Sequence, residues 1–221
     1  MKNELLLTHW CLIRNNQVVT DDKVENVTEI FSTFAGFLKA LYKKEQISYP
    51  KFYKMDSLSK LGFLTSEKVL KESHVLDHYR NEEIGIIIFN SSASLETDIE
   101  YQKTIQDKSN YFPSPSVFVY TLPNIVIGEI CIRHQIKGEN VFFITEKFDA
   151  GLILNNVACL MESGRIKACL CGWIDVLEDN YESVLFVIEN GSSVAVDEDQ
   201  AAKGSKLTGR TLNNIYYNNG E

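Results

Sequence analysis

Two histidines, His74 and His78, have the residue type and the spacing for metal chemistry. When two imidazoles stand four residues apart on a helix, they lie on one face and can share a metal ion. The residues between them include no glutamate in the position of a general base, and no third ligand is evident. We interpret the two histidines as a surface pair near a helix end, and the sequence predicts no metal and no cofactor.

Three alternating acidic residues, Glu96, Asp98 and Glu100, are a second set of side chains with chemical potential. Paired carboxylates can act as a general acid and a general base. Here they stand on a stretch with amphipathic helical spacing, residues 95–105. Charges that repeat along one side of such a helix usually form its solvated face, so we expect no chemistry from them.

The five cysteines make an odd number, and all of them have apolar neighbours. They are Cys11, Cys131, Cys159, Cys169 and Cys171. Secreted disulfide frameworks usually have even counts, and no cysteine or histidine pair stands at zinc-finger spacing, so we predict reduced, buried thiols. Because the N-terminus shows no signal-peptide pattern and no stretch reaches 18 apolar residues, we expect a cytoplasmic protein without a membrane span.

The charge balance argues against nucleic acid and anionic membranes as partners. The chain has 22 Lys and Arg against 30 Asp and Glu, a net charge of −8. An acidic chain lacks the general attraction to phosphates on which nucleic-acid binding depends. Its 221 residues, 44% of them hydrophobic, are enough to form a core without disulfides or metals.

Short apolar segments that alternate with amphipathic ones must position any functional residues. The predicted strands are 4–13, 84–89, 141–145, 168–176 and 184–188, and the predicted helices are 24–41, 57–76, 95–105, 124–135 and 151–162. This alternation favours an α/β fold with a mainly parallel mixed sheet and helices on both faces. We expect one domain over residues 1–190. Residues 191–221 are rich in Gly, Ser, Asn and charge, so we predict a polar, flexible tail there.

Five segments between residues 50 and 190 follow one another in a specific order and spacing. They are Lys54-Met55-Asp56, the strand 84–89 with the turn 90–95, the segment 114–124 with Gly128-Glu129-Ile130 after it, residues 136–140, and the strand 168–176 with Gly172. This ordered set resembles the N-terminal half of the β-ketoacyl synthase family, the condensing enzymes of fatty-acid and polyketide synthesis. The resemblance implies half of a thiolase-like fold, whose layers alternate as αβαβα.

The residue at the family's nucleophile position is a lysine. The family's cysteine stands at a tight strand-to-helix turn, where the helix end and backbone N–H groups lower the thiol pKa and stabilise an oxyanion. It comes seven residues after an asparagine that corresponds to Asn140, and this count leads to Lys147. A lysine cannot hold an acyl chain as a thioester. The resemblance therefore implies a degenerate elbow, made of Thr145, Glu146, Lys147 and Phe148.

Two interpretations of Glu146 and Lys147 stay open at this point. Their charges could pair with each other or with a partner protein, or could plug the acyl entrance. Alternatively, they are drifted, solvated residues at a site that no longer works.

The family's catalytic histidines are missing from their expected place. Both follow the cysteine in the family, whereas the four histidines of this chain, His9, His74, His78 and His134, all precede Lys147. The length of the chain also agrees with the first structural half of the family. The resemblance thus implies a chain that does not condense acyl units by itself.

Chain-length factors are relatives of ketosynthases that lack the cysteine. They pair with an active ketosynthase, and the interface of the heterodimer holds the growing chain; shortened members of this kind are found in aryl-polyene and flexirubin-type pathways. The resemblance implies such a non-catalytic subunit, which binds a full-length ketosynthase along strand 141–145. An acyl carrier protein is a further partner that the resemblance implies. The residues implied at the acyl tunnel or the interface are Tyr111, Phe112, Phe118, Tyr120, Pro123, Asn124, Val141, Phe143 and Thr145.

Other interpretations are kept beside this one. Tyr111, Phe112, Phe118 and Tyr120 could equally be plain core. The chain could be a homodimer that binds acyl chains or carrier protein without chemistry. It could also retain malonyl decarboxylation, which the missing downstream histidines disfavour.

Overall fold

A single mixed sheet of eight strands organises the chain in the computed structural model, which describes residues 4–21, 23–26, 33–191 and 205–218. The strands are β1 (Leu5–Arg14), β2 (Gln17–Thr20), β3 (Lys23–Asn26), β4 (Ile84–Asn90), β5 (Asn140–Ile144), β6 (Ala168–Leu177), β7 (Asn180–Asn190) and β8 (Ser205–Lys206). Their order is β3-β2-β1-β7-β6-β4-β5, and β8 pairs with β1. β5 therefore lies at one end of this order and β3 at the other.

Helices cover both faces of the sheet. They are α1 (Phe34–Lys44), α2 (Ser57–Ser73), α3 (Val75–His78), α4 (Leu95–Ile105), α5 (Pro115–Phe118), α6 (Ile125–His134), α7 (Ala150–Glu162) and α8 (Gly209–Asn218). The first core cluster contains buried residues of α1, α2 and α6. The second contains those of α7 and α8, on the opposite face of the sheet.

Strand β4 shows how the two cores are separated. All seven of its residues are buried. Because successive side chains of a strand point to opposite faces, Ile86 and Ile88 enter the first cluster, whereas Ile87 and Phe89 enter the second. This is the burial expected of a strand covered on both faces, as its continuous apolar sequence predicts.

The α/β class and the helices on both faces are confirmed, but the balance of strand pairs differs from the prediction. Among the pairs of described strands, only β4–β5 and β4–β6 are parallel. The β1–β2, β1–β7, β1–β8, β2–β3 and β6–β7 pairs are antiparallel. Tight turns explain the difference, since Asn15 and Asn16 between β1 and β2, and Glu178 between β6 and β7, all have positive φ. The prediction of a mainly parallel sheet was wrong.

Two segments differ from their predicted structure. The helix predicted over 24–41 begins only at Phe34, because residues 23–26 form β3; residues 27–32 lie outside the described residues. The predicted flexible tail contains β8 and α8, and α8 buries Leu212, Ile215 and Tyr216 in the second cluster. The polar composition of 191–221 conceals this short apolar pattern; residues 192–204 and 219–221 lie outside the described residues.

Strands β6 and β7 approach each other so closely at Gly172 that a side chain has no space. A Cβ atom added there would lie 2.0 Å from the Val184 carbonyl oxygen, and the φ of +154° is one that other residues rarely adopt. Gly128 of α6 is the opposite case, because an added Cβ would meet nothing within 4 Å.

Gly172→Ala is predicted to lower the free energy of unfolding by about 3 kcal/mol, because the new methyl group pushes two central strands apart. Gly128→Ala is the matched control, and it should change that free energy by less than about 1 kcal/mol. Urea unfolding followed by circular dichroism measures both. Equal effects of the two substitutions would contradict the close approach.

Candidate functional site

The carboxyl ends of three parallel strands meet at one edge of the sheet, which we call the carboxyl edge. In register, Phe89 of β4 stands between Phe143 of β5 and Trp173 of β6. The Thr145 N–H donates to the Asn90 carbonyl oxygen at 2.8 Å, so the chain that follows β5 is held beside the end of β4. The carboxyl edge is where open α/β sheets usually bind ligands.

The elbow loop, residues 145–149, joins β5 to α7. β5 ends at Ile144, and α7 begins only at Ala150. Asp149 caps this helix, and its carboxylate accepts the Leu152 N–H at 2.9 Å. Lys147 precedes the cap by two residues and is exposed. The positive end of α7 therefore carries a carboxylate of the chain itself, and residue 147 lies outside the helix.

A second carboxylate occupies backbone donors at the same edge. Asp175 of β6 accepts the N–H groups of Ser91 and Ser92 at 3.3 and 3.0 Å. It also accepts the hydroxyl groups of both serines, at 2.5 and 3.3 Å respectively. A pair of N–H groups of this kind could stabilise an oxyanion if it were free. Here the turn after β4 has an internal anion instead.

Asp149 and Asp175 were not among the residues singled out from the sequence. Asp149 could have been found, since an aspartate directly before an apolar helical pattern is a common N-cap signal. Nothing in the sequence indicated that Asp175 meets the two serines, because that contact depends on the register of β6 against β4.

The elbow side chains separate into two groups. Glu146 and Lys147 are exposed and form no ion pair with each other or with any other described residue. Their mutual pairing is therefore not observed. Thr145 is half-buried, and its hydroxyl group donates to the Lys147 carbonyl oxygen at 3.2 Å. Phe148 is buried in the second cluster.

Three of the predicted tunnel or interface aromatics are exposed. Tyr111, Phe112 and Phe118 have exposed fractions of 61%, 78% and 57%. Phe118 has one ring neighbour, Tyr101 of α4, at a centroid distance of 5.3 Å. Exposure of several large apolar side chains in one segment is typical of a surface that another molecule covers.

Tyr120 is the exception among the four aromatics. It is buried in the first cluster, and its hydroxyl group donates to Glu129 Oε1 at 3.0 Å. Lys51 Nζ lies 2.8 Å from the other Glu129 oxygen. Burial and the neighbouring Glu129 charge raise the pKa of Tyr120. Of the residues that follow, Pro123 is half-buried, and Asn124 is exposed directly before α6.

The β5 side chains contact both cores. Val141 and Phe143 pack against the second cluster, and Phe143 stacks on Phe89 at 4.9 Å. Phe142 packs against the first cluster. Ile144 is 58% exposed. Because β5 pairs only with β4 among the described strands, its other edge is open.

The polar residues singled out for chemistry are dispersed. His74 ends α2 in a left-handed conformation, so His74 and His78 do not share a helix, and both are exposed. Asp98 and Glu100 are exposed, whereas Glu96 is half-buried and burial raises its pKa. In the part of the chain that the structure describes, no group of three or more His, Cys, Asp or Glu residues has the arrangement of a metal site.

The remaining histidines and the cysteines lie away from the elbow. His134 is partly buried at the end of α6, 3.4 Å from Glu67 Oε1, and burial lowers its pKa to about 4. His9 contacts Asp21 at 3.9 Å. All five cysteines are free thiols. Cys11, Cys169 and Cys171 are buried as predicted, whereas Cys131 is half-buried and Cys159 is exposed, which corrects the prediction for those two.

Similar proteins are found among solved structures. No family model and no curated protein matches the chain. The ishigamide ketosynthase/chain length factor is 16% identical with a TM-score of 0.65, over 87% of this chain and 63% of that one. A type II PKS acyl-carrier protein in complex with its ketosynthase bound to the hexaketide is 13% identical, with a TM-score of 0.60, over 86% of this chain and 63% of that one. The ketosynthase ApeO in complex with its chain length factor ApeC, from Xenorhabdus doucetiae, is 15% identical, with a TM-score of 0.56, over 85% of this chain and 79% of that one.

These similarities establish the fold. The alignment spans 63% of the length of the ketosynthase/chain length factor chain given first. In the described part of the chain, no single helix has the length and apolar character to cross a membrane. The segments Pro115–Thr121 and Ile125–His134 meet both criteria only when they are taken together, and the angle between them is 98°. The predicted resemblance is confirmed at this level: the chain has the mixed α/β, thiolase-like fold of ketosynthases and chain length factors.

Lys147→Cys tests whether the elbow can activate a nucleophile. The introduced thiol is expected to titrate near the ordinary cysteine pKa of about 8.5, because residue 147 is exposed and the α7 terminus is capped by Asp149. The pH dependence of iodoacetamide alkylation, resolved by peptide mass spectrometry, measures this, with the exposed Cys159 as the internal reference. An apparent pKa below about 7 would contradict the prediction.

Proposed function

We propose that the chain is a non-catalytic, ketosynthase-like subunit that pairs with an active ketosynthase in fatty-acid or polyketide-type synthesis and helps to shape the acyl-chain tunnel. The observation that carries the proposal is that the carboxyl edge has no cysteine at the nucleophile position and that its backbone donors bind carboxylates of the chain. Lys147 stands at the nucleophile position, and Asp149 and Asp175 occupy the nearby backbone donors. A thiolate and an oxyanion would both have to compete with these carboxylates.

The open edge of β5 is the proposed contact with the ketosynthase. An unpaired edge strand presents N–H and C=O groups that a strand of another chain can bind. Exposed apolar residues occur in β5 and in the helices that precede and follow it, namely Ile144 of β5, Ile132 of α6 and Leu152 of α7, with exposed fractions of 58%, 63% and 37%. The complexes among the similar structures, which include a ketosynthase with its chain length factor, support the pairing with a ketosynthase.

The exposed aromatic residues are the proposed wall of the acyl-chain tunnel. Tyr111, Phe112 and Phe118 offer apolar surface that a growing chain would prefer to water. Phe143 of β5 and Thr145, the first residue of the elbow loop, would continue this wall. Glu146 and Lys147 would then face the partner or the tunnel entrance.

Ile144→Lys tests the proposed contact. It is expected to weaken binding to a full-length ketosynthase from the same organism by at least about tenfold, because it replaces an apolar contact with a charge. Val24→Lys is the matched control, since Val24 is 59% exposed on β3 at the opposite end of the strand order and Ile144 is 58% exposed. Size exclusion and calorimetry measure both.

Three results would each contradict one part of the proposal. Equal weakening by the two substitutions would mean that β5 is not the contact. A chain that never binds the ketosynthase and elutes as a dimer that Ile144→Lys dissociates would instead favour the homodimer alternative. A complex whose product length is the same with and without Phe112→Ala would remove the tunnel role of Phe112.

A lysine surface on α1, α2 and the turn between them is the proposed contact for an acyl carrier protein. We define it as Lys39 and Lys43 of α1, Lys51 and Lys54 of the turn before α2, and Lys60 of α2. Lys39, Lys43 and Lys54 are exposed and form no ion pair with any residue that the structure describes. In a chain with a net charge of −8, this is a local excess of positive charge. It fits a carrier protein that presents acidic residues.

The lysine surface lies beside the carboxyl edge. Asp56, two residues after Lys54, accepts the Thr97 hydroxyl group at 3.0 Å, and Thr97 belongs to the first turn of α4, which follows β4. Tyr42 of α1 stacks on Phe52 at 4.3 Å, so the end of α1 adjoins the turn that carries Lys51 and Lys54. A carrier protein bound there would be close to the proposed tunnel.

The double variant Lys43→Glu, Lys54→Glu is predicted to weaken binding of the phosphopantetheine-bearing carrier protein by at least about tenfold and to reduce its salt dependence. The control is Lys71→Glu with Lys108→Glu, which changes the net charge equally at exposed lysines outside the surface. Fluorescence anisotropy of the labelled carrier protein measures both. If the control weakens binding as much, the attraction is general and the lysine surface is not the contact.

A further inference from the structure

The elbow loop has few restraints of its own. Its described hydrogen bonds are those of the Thr145 N–H to the Asn90 carbonyl, of the Thr145 hydroxyl to the Lys147 carbonyl, and of the Leu152 and Ile153 N–H groups to Asp149. Among its side chains only Phe148 is buried, with 4% of its surface exposed. The conformation of the loop therefore depends on what surrounds Phe148.

The nearest aromatic neighbour of Phe148 comes from the C-terminal helix. Tyr216 of α8 stacks on Phe148 with a centroid distance of 4.1 Å and an interplanar angle of 14°. Phe186 of β7 and Tyr217 of α8 are more distant, each at 6.4 Å. The principal ring contact of the loop is thus made by α8.

Polar groups from the sheet fix Tyr216 in place. Its hydroxyl group donates to Glu182 Oε1 at 2.5 Å, and the Trp173 indole N–H donates to the same oxygen at 2.9 Å. Arg14 lies 2.9 Å from the other Glu182 oxygen, donates to the Tyr216 carbonyl at 3.2 Å, and has its guanidinium 4.5 Å from the Tyr216 ring centroid. These contacts join α8 to β1, β6 and β7.

We infer that α8 is a clamp on the elbow loop, with Tyr216 as the positioning residue that holds Phe148. Leu212 and Ile215 seat the helix in the second cluster, and the Glu182 network sets the position of the Tyr216 ring. Release of α8 would free Phe148 and with it the loop. Because coupling is reciprocal, loss of the Phe148 ring must also loosen α8. This inference concerns the isolated chain and does not depend on the proposed partner.

Amide hydrogen exchange by NMR in the full chain tests the clamp. Tyr216→Ala is expected to raise the exchange rates of the Thr145 and Leu152 amides roughly three- to tenfold, because the ring stack and its anchors are lost. The rate of Leu170 in β6 should stay within about twofold. Tyr217→Ala is the matched control, since Tyr217 is 55% exposed, and it should leave the Thr145 and Leu152 rates within about twofold.

Phe148→Leu keeps an apolar side chain but removes the stacked ring, so it supplies a second measurement if Tyr216→Ala does not fold. It should raise the exchange rate of the Ile215 amide in α8 as well as that of Thr145. Tyr216→Phe keeps the ring and should affect the loop less than Tyr216→Ala does. Unchanged loop rates, or a rise as large at Leu170 as at Thr145, would overturn the clamp.

Discussion

Strand β4 must be covered on both faces and flanked on both sides, and the rest of the structure follows from that requirement. Its seven buried residues face two separate cores. Its backbone groups pair in parallel with β5 and β6, so that the ends of all three strands meet. Parallel pairing in turn requires that helices connect the strands across the faces of the sheet. The helices α4, α6 and α7 are those connections, and they bring the aromatic segment and the elbow loop to their places.

The sequence predicted most of this arrangement where apolar patterns were long, and failed where they were short. The strand 84–89 and the helix 124–135 were found within one or two residues, because burial dictates their periodicity. Val24 fitted a helical pattern but lies in a strand, since four residues of β3 are too few to show an alternation. The residue at the nucleophile position could be counted from Asn140, whereas the carboxylate contacts at the carboxyl edge depend on register and helix start, which spacing alone does not fix.

The two carboxylates at the carboxyl edge change what that edge can do. In an acyl-transfer site, helix termini and free N–H groups remain unoccupied until negative charge develops on the substrate. Here Asp149 satisfies a donor at the start of α7, and Asp175 satisfies the turn after β4. Both contacts stabilise the fold directly. Backbone donors of the kind that stabilise an oxyanion in an active site bind side-chain carboxylates of the chain itself at this edge.

The buried carboxylate of Glu129 lies between the lysine surface and the exposed aromatic segment that contains Tyr111, Phe112 and Phe118. Lys51, one of its partners, belongs to the lysine surface, while Tyr120, the other, directly follows the exposed aromatic segment. The buried carboxylate of Glu129 on α6 therefore contacts a residue of the lysine surface and a residue next to the aromatic segment. Glu129 itself is only 3% exposed. In the proposed function, the surface that receives the carrier protein and the wall that holds its acyl chain would therefore adjoin one and the same buried side chain.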